Sequence, residues 1–228
     1  MFNGFVALYN LIPDVGVVIL VITILIKVVL YPLTRSSIKS QKALTDLQPK
    51  LSELKEKHKD NKQVIAQETM KLYKENHVNP FASCLPLLIQ LPILIALYYV
   101  LQSVLKGNQF DLLYPFVRNP GSINKISLGL FDLEKASWAL AVLAGGAQFW
   151  QSKMMTRKRP DKPVAPGAKD EDTMAMMNKQ MLYFMPVMTV FIGFSLPAGL
   201  TLYWFLSTLF TALQQLFMFK KRAKVVGS

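Results

Sequence analysis

Residues 181–219 form a 39-residue apolar block, and this block limits what the chain can fold into. One straight helix over it, at about 1.5 Å per residue, would reach about 58 Å, nearly twice the ~30 Å hydrocarbon core of a bilayer. "SLPAGL" (195–200) supplies a turn at its middle. Two spans follow, 181–194 and 200–219, joined by a turn at 195–199. Three further apolar runs, 15–33, 84–105 and 137–154, come close to the roughly 20 residues that a crossing needs. The reading is an all-α polytopic membrane protein with five transmembrane helices. Composition agrees: 52% hydrophobic residues together with a net charge of +12 require that charge and apolar surface be segregated along the sequence.

Lysine and arginine set the orientation, because short cytoplasmic loops collect them. Segment 34–83 holds ten, residues 153–180 hold seven and the tail 220–228 holds four, against four in the loop 106–136 and none before residue 15. The N-terminus is therefore expected outside and the C-terminus in the cytoplasm. In the first 14 residues, Phe2, Phe5, Val6 and Tyr9 fall on one helical face, which would lay a short helix along the bilayer surface; a frayed end is the alternative. These residues have no charged start and no small-residue cleavage site, so they do not read as an intact signal peptide. Segment 34–83 is too polar for lipid, yet Leu44, Leu47, Leu51 and Leu54 keep a 3, 4, 3 spacing and Ile65, Thr69, Leu72 and Tyr73 continue a stripe. This predicts a cytoplasmic helical hairpin, whose seam can zip its own helices together or receive a partner. Residues 155–180, rich in proline and charge, read as a cytoplasmic linker.

Lys27 is the anomaly, an ammonium inside the first apolar run. At the centre of a span it costs about 2.5–3.5 kcal/mol, less where the side chain can snorkel to the interface. It lies six residues before Leu33, about 9 Å inside the cytoplasmic end, farther than its stem comfortably reaches. The other reading is that it faces a wetted cavity, with Thr23 one turn earlier on the same face. The spans hold no Asp or Glu to pair with it. Gln90, Gln148, Gln151, Thr201, Ser207 and Thr208 could line the same pocket or simply bond neighbouring helices. Pro86, Pro92 and Pro186 can kink their helices, and Gly145 and Gly146 permit close helix contact.

The sequence has no nucleotide-binding loop, no nucleophile beside a base and no H-E-x-x-H, so energy-coupled transport and intramembrane proteolysis lack their parts. One cysteine, Cys84, and two histidines, His58 and His77, leave no metal site. No cofactor is expected and no enzyme activity. The excess of positive charge points to anionic lipid before nucleic acid, with contact to a ribosome as an addition.

"LYPLT" (30–34), the stretch from "LQPKLSELKEKH" to "NHVNP" (47–80), "CLPLLIQLPILIALYYVL" (84–101) and "MPVMTVFIGFSLPAGLTLYWFLSTLFTALQQ" (185–215) resemble the YidC family of membrane protein insertases, relatives of the Oxa and Albino insertases. The resemblance implies a five-helix core with a cytoplasmic hairpin in a bacterial plasma (inner) membrane. It also implies an energy-independent insertase and chaperone, with nascent membrane proteins as clients and the ribosome and Sec translocon as further partners. Its mechanism would be a groove, open to cytoplasm and lipid, whose positive charge draws in the polar flank of a client. Lys27 aligns with that charge, where the family usually carries arginine; lysine keeps the charge and loses the planar fork. Thr23, Gln90, Tyr203 and Trp204 carry over onto the groove. Lys55, Lys57 and Lys59 in the hairpin, with Lys220, Lys221, Arg222 and Lys224 in the tail, would recruit ribosome or client. "FAS" before Cys84 and Thr208 depart from the family pattern. A Sec-associated subunit without activity of its own, and a small-molecule transporter, are the competing readings. The short fourth span, about 21 Å, implies a thinned bilayer around it.

Overall fold

The computed structural model describes residues 1–58, 61–79, 81, 85–107, 110–155 and 180–226, and it is mostly helical. After α1 (Phe2–Leu11), Asp14 caps α2 (Val15–Val29): its carboxylate accepts from the Gly16 and Val17 amides at 2.8 and 3.1 Å. Two donors that a helix start leaves orphaned are thereby satisfied. The apolar run 15–33 does not continue as one straight helix. α3 (Tyr31–Lys57) departs from the α2 axis by 69°, because Pro32 has no N–H for the ladder and its ring crowds the carbonyl four residues back.

α4 (Lys62–Glu75), capped by Asn61, packs on α3. Leu47 and Leu51 are buried and Leu44, Leu54, Ile65, Thr69, Leu72 and Tyr73 half-buried, so burial in this pair follows the apolar stripe of the sequence. α5 (Leu85–Leu105) carries Pro92 within it. A two-stranded antiparallel hairpin follows, β1 (Ile126–Ser127) with β2 (Phe131–Asp132), Ile126 opposite Asp132 and Ser127 opposite Phe131. Next come α6 (Trp138–Met155), one wide turn of π-helical geometry (Gln180–Phe184), α7 (Met185–Ser195) and α8 (Ala198–Val226). Within α5 and α8, Leu88–Leu105 and Ala198–Phe219 are long and apolar enough to cross a membrane, and the bent α2–α3 pair makes a third candidate. The apolar stretch Leu182–Ser195 is shorter.

α6 packs most extensively on α8 and α7, and α2 on α8. The α6–α7 contact needs Gly145: a Cβ there would collide with the Val190 side chain and meet the Pro186 carbonyl at 3.1 Å. Gly146, the other glycine expected to permit close contact, faces open space.

The core is concentrated at one end of the bundle. Phe5, Val6 and Tyr9 of α1 pack with Val15, Val18 and Ile19 of α2, Leu97, Leu101 and Val104 of α5, Leu140 of α6 and Leu200 of α8. The stripe that the sequence would lay on a bilayer surface is helical, and Phe5, Val6 and Tyr9 within it face protein. The loop before α6 closes the same end, where the Ala198 and Gly199 amides donate to the carbonyls of Lys135 and Leu133 at 2.8 and 3.0 Å.

Candidate functional site

On α8, Tyr203, Ser207, Thr211 and Gln214 recur at intervals of four, four and three residues and so share one face. That face meets α2, α3 and α5. Lys27 Nζ donates to Thr211 Oγ1 at 2.9 Å, and Thr211 in turn donates to the Ser207 carbonyl at 2.9 Å. The Ser207 hydroxyl reaches Gln90 Oε1 at 3.5 Å, and Gln90 Nε2 donates to the Tyr203 hydroxyl at 3.1 Å. One turn beyond Thr211 on α8, the Gln214 amide and Thr34 Oγ1 of α3 are 3.2 Å apart. The result is a polar ladder along α8 with a single cation on it.

Position along α8 gives the depth of that cation. Thr211 lies thirteen residues from Ala198 and eight from Phe219, the limits of the apolar stretch, which puts the ammonium about 20 Å from one end and about 12 Å from the other. Lys27 stands in the last turn of α2, where the carbonyl end of the helix favours positive charge. Among the described residues no carboxylate pairs with it; ion pairs such as Lys42–Asp46 and Lys125–Glu134 lie elsewhere. Along α2, Ile24, Leu25, Val28 and Val29, and along α5, Leu88, Leu91 and Ile95, are left uncovered by protein. A fixed cation beside apolar surface can attract an anionic or polar group out of water while the rest of that ligand stays against hydrocarbon.

The residues read from the sequence do not all come together. Lys27, Gln90 and Tyr203 are brought together by the ladder, Tyr203 almost completely buried. Thr23 is fully buried and its hydroxyl bonds its own helix, to the Ile19 carbonyl at 2.6 Å, so it does not join the ladder. Trp204 is half-buried, and among the described residues no hydrogen bond ties it in. Lys55 and Lys57 lie at the far end of α3, half-buried and exposed. Lys59, Cys84 and linker residues 156–179 lie outside the described residues, as do the side chains of Lys220, Lys221, Arg222 and Lys224. Thr211, Gln214 and Thr34 were missed by sequence reasoning; the first was legible, one turn after Ser207 on the same face. The described residues hold no cluster of three His, Cys, Asp or Glu that could take a metal. A cavity of about 170 Å³ lined by Tyr98, Leu101, Gln102, Leu105, Lys106, Glu134, Pro197 and Leu200 lies at the α1 end and does not include Lys27.

The family model described as 60Kd inner membrane protein matches residues 7–225. The chain is similar to the membrane protein insertase YidC of Fusobacterium nucleatum, 37% identical over 208 residues that cover 91% of this chain and 87% of the relative. It is 39% identical to the membrane protein insertase YidC 1 of Listeria monocytogenes over 204 residues, 87% of this chain and 61% of that one. Among solved structures it resembles an active YidC insertase crystal structure with the first transmembrane domain resolved. The TM-score is 0.62 and the identity 28%, with coverage of 93% of this chain and 44% of that one. The chain thus spans most of the first relative, about three fifths of the second and less than half of the solved structure.

Proposed function

The chain belongs to the YidC family of membrane protein insertases, and from that premise we propose that it is itself an energy-independent insertase and chaperone that draws the polar flank of a nascent membrane protein toward Lys27. The observation that carries this reading is the Lys27 side chain: it bonds a hydroxyl, Thr211, and no carboxylate among the described residues neutralises it. An isolated cation about 12 Å inside an apolar stretch is costly. A client segment with acidic or polar groups offsets that cost and has its own desolvation lowered in return. The apolar part of the client would leave along the uncovered residues of α2 and α5.

In this reading five spans cross the membrane: α2 with the start of α3, then α5, α6, the short Leu182–Ser195 helix and α8. The N-terminus is outside and the C-terminus cytoplasmic, as the lysine and arginine bias argues. The α3–α4 pair and the basic tail would then face the cytoplasm, placed to meet ribosome, client, anionic lipid or Sec translocon.

The test is insertion of a short single-span substrate with an acidic outer segment into liposomes containing only this protein. Wild type and Lys27→Arg are expected to insert it. Lys27→Ala should lose on the order of tenfold or more in yield, equivalent to about 1.4 kcal/mol or more. Equal insertion by all three would remove Lys27 from the mechanism, and failure of all three would point to a Sec-dependent subunit.

A further inference from the structure

The β1–β2 hairpin at the α1 end has a tip that suits neither water nor ordinary turn chemistry. The Leu130 amide donates to the Ser127 carbonyl at 3.0 Å, closing a turn whose central residues are Leu128 and Gly129, with φ of +51° and +69°. Turns with positive φ at both centres favour Asn-Gly or Asp-Gly, and a leucine held there is strained by of order 1 kcal/mol or more. Leu128 is 70% exposed, Leu130 75% and Ile126 50%. Residues 126–131, "ISLGLF", carry no charge.

The polar groups of the same segment are turned away. Asp14 Oδ2 accepts from the Leu128 amide at 2.7 Å and Asp14 Oδ1 from the Ser127 hydroxyl at 2.6 Å. The charges at the hairpin base are paired, Lys125 with Glu134 at 2.6 Å and Lys135 with Asp132 at 3.1 Å. Bonded amides at Leu128 and Leu130, paired charge and projecting leucines suit an element at the edge of the hydrocarbon, where the remaining carbonyls can meet headgroups and water.

Depth supports the same assignment. Lys27 lies about 12 Å inside the apolar stretch, and Asp14, thirteen residues earlier, stands about 20 Å farther along, at the opposite edge of a core of about 30 Å. The hairpin tip, bonded to Asp14, is held at that level. Trp138, exposed at the start of α6, stands at the same end, where amphipathic rings settle at the headgroup level. We propose that the tip residues Ile126, Leu128 and Leu130 seat in the acyl–headgroup boundary of the leaflet at the α1 end, with lipid as their only partner. This rests on α2 and α6 being spans.

Spin labels test it in phosphatidylcholine vesicles, in a Cys84→Ser background carrying one of Leu128→Cys, Leu130→Cys, Ser122→Cys or Leu143→Cys. The labels at 128 and 130 should be accessible to oxygen and shielded from a water-soluble nickel chelate, like the label at 143 on α6 and unlike that at 122. Nickel accessibility at 128 and 130 equal to that at 122, with 143 still shielded, would overturn the hairpin assignment alone. Exclusion of both reagents at 128 and 130 would mean a protein partner and overturn it too. A nickel-accessible label at 143 would overturn the spanning reading on which it rests.

Discussion

The two ends of this bundle are built from different materials. At the α1 end, side chains from α1, α2, α5, α6 and α8 converge on one apolar core, and the loop before α6 is hydrogen-bonded over it. At the α3 end, α2, α3, α5 and α8 meet through Lys27, Thr34, Gln90, Ser207, Thr211 and Gln214, and the apolar side chains of α2 and α5 point away from protein. The difference teaches where a chain of this kind can yield. Helices facing lipid gain little by burying apolar groups as such, so the α1 end is held by close packing. At the α3 end α2 and α5 meet α8 through a few polar contacts, and in the proposed function it is there that a client displaces them.

Truncation should break the comparison if it is wrong. Leu97 is completely buried in the core of the α1 end, whereas Leu91, two turns earlier on α5, is 46% exposed. Leu97→Ala should cost about 2–4 kcal/mol through the cavity it leaves, and Leu91→Ala less than about 0.5 kcal/mol. Reversible unfolding in bicelles measures both. Similar costs would mean that the two ends are packed alike.

Asp14 links the α1 end to its cover, and so makes that end sensitive to acid. Burial pushes its carboxyl up, but bonds from Ser127, Leu128, Val17 and Gly16 outweigh burial and hold it below the ordinary carboxylate range. A depressed carboxylate stabilises the fold above its unfolded value, about 3.9, and that contribution is lost as pH falls through the lower folded value. Asp14→Ala should cost about 2 kcal/mol at neutral pH and flatten the stability profile below about pH 4. Amide exchange at Ser127–Leu130 should rise with it. An unchanged profile would mean that the hairpin is held by its strands alone.

Much of this asymmetry was legible before the structure, and the reason is depth. Lys27 and the break at "SLPAGL" stand out because an apolar run makes any departure visible. The Pro32 bend could have been anticipated too, since "LYPLT" puts a proline where the 15–33 run would have to remain helical. What stayed hidden was long-range pairing. Nothing in "IPDVG" says that Asp14 will bond Ser127 and Leu128, more than a hundred residues away. Thr23 shows a related limit: its one-turn spacing to Lys27 puts both on one face, but its hydroxyl is satisfied by the carbonyl of Ile19 on its own helix.

The smallest expected effect has the opposite sign. Gln215 is 1% exposed on α8, one turn past Thr211, and both atoms of its amide lack a hydrogen-bond partner among the described residues. A buried amide left unpaired costs about 1–3 kcal/mol, and a leucine of nearly the same volume removes that cost. Gln215→Leu should therefore stabilise the resting protein by about 1 kcal/mol, while Gln90→Leu, which strips the Tyr203 hydroxyl and the Ser207 hydroxyl of their shared partner, should destabilise it by about as much. Thermal midpoints of the two variants, measured side by side, decide it. If Gln215→Leu also destabilises, the amide is satisfied in the membrane by water entering from the α3 end, and the polar character of that end extends a full turn beyond Thr211.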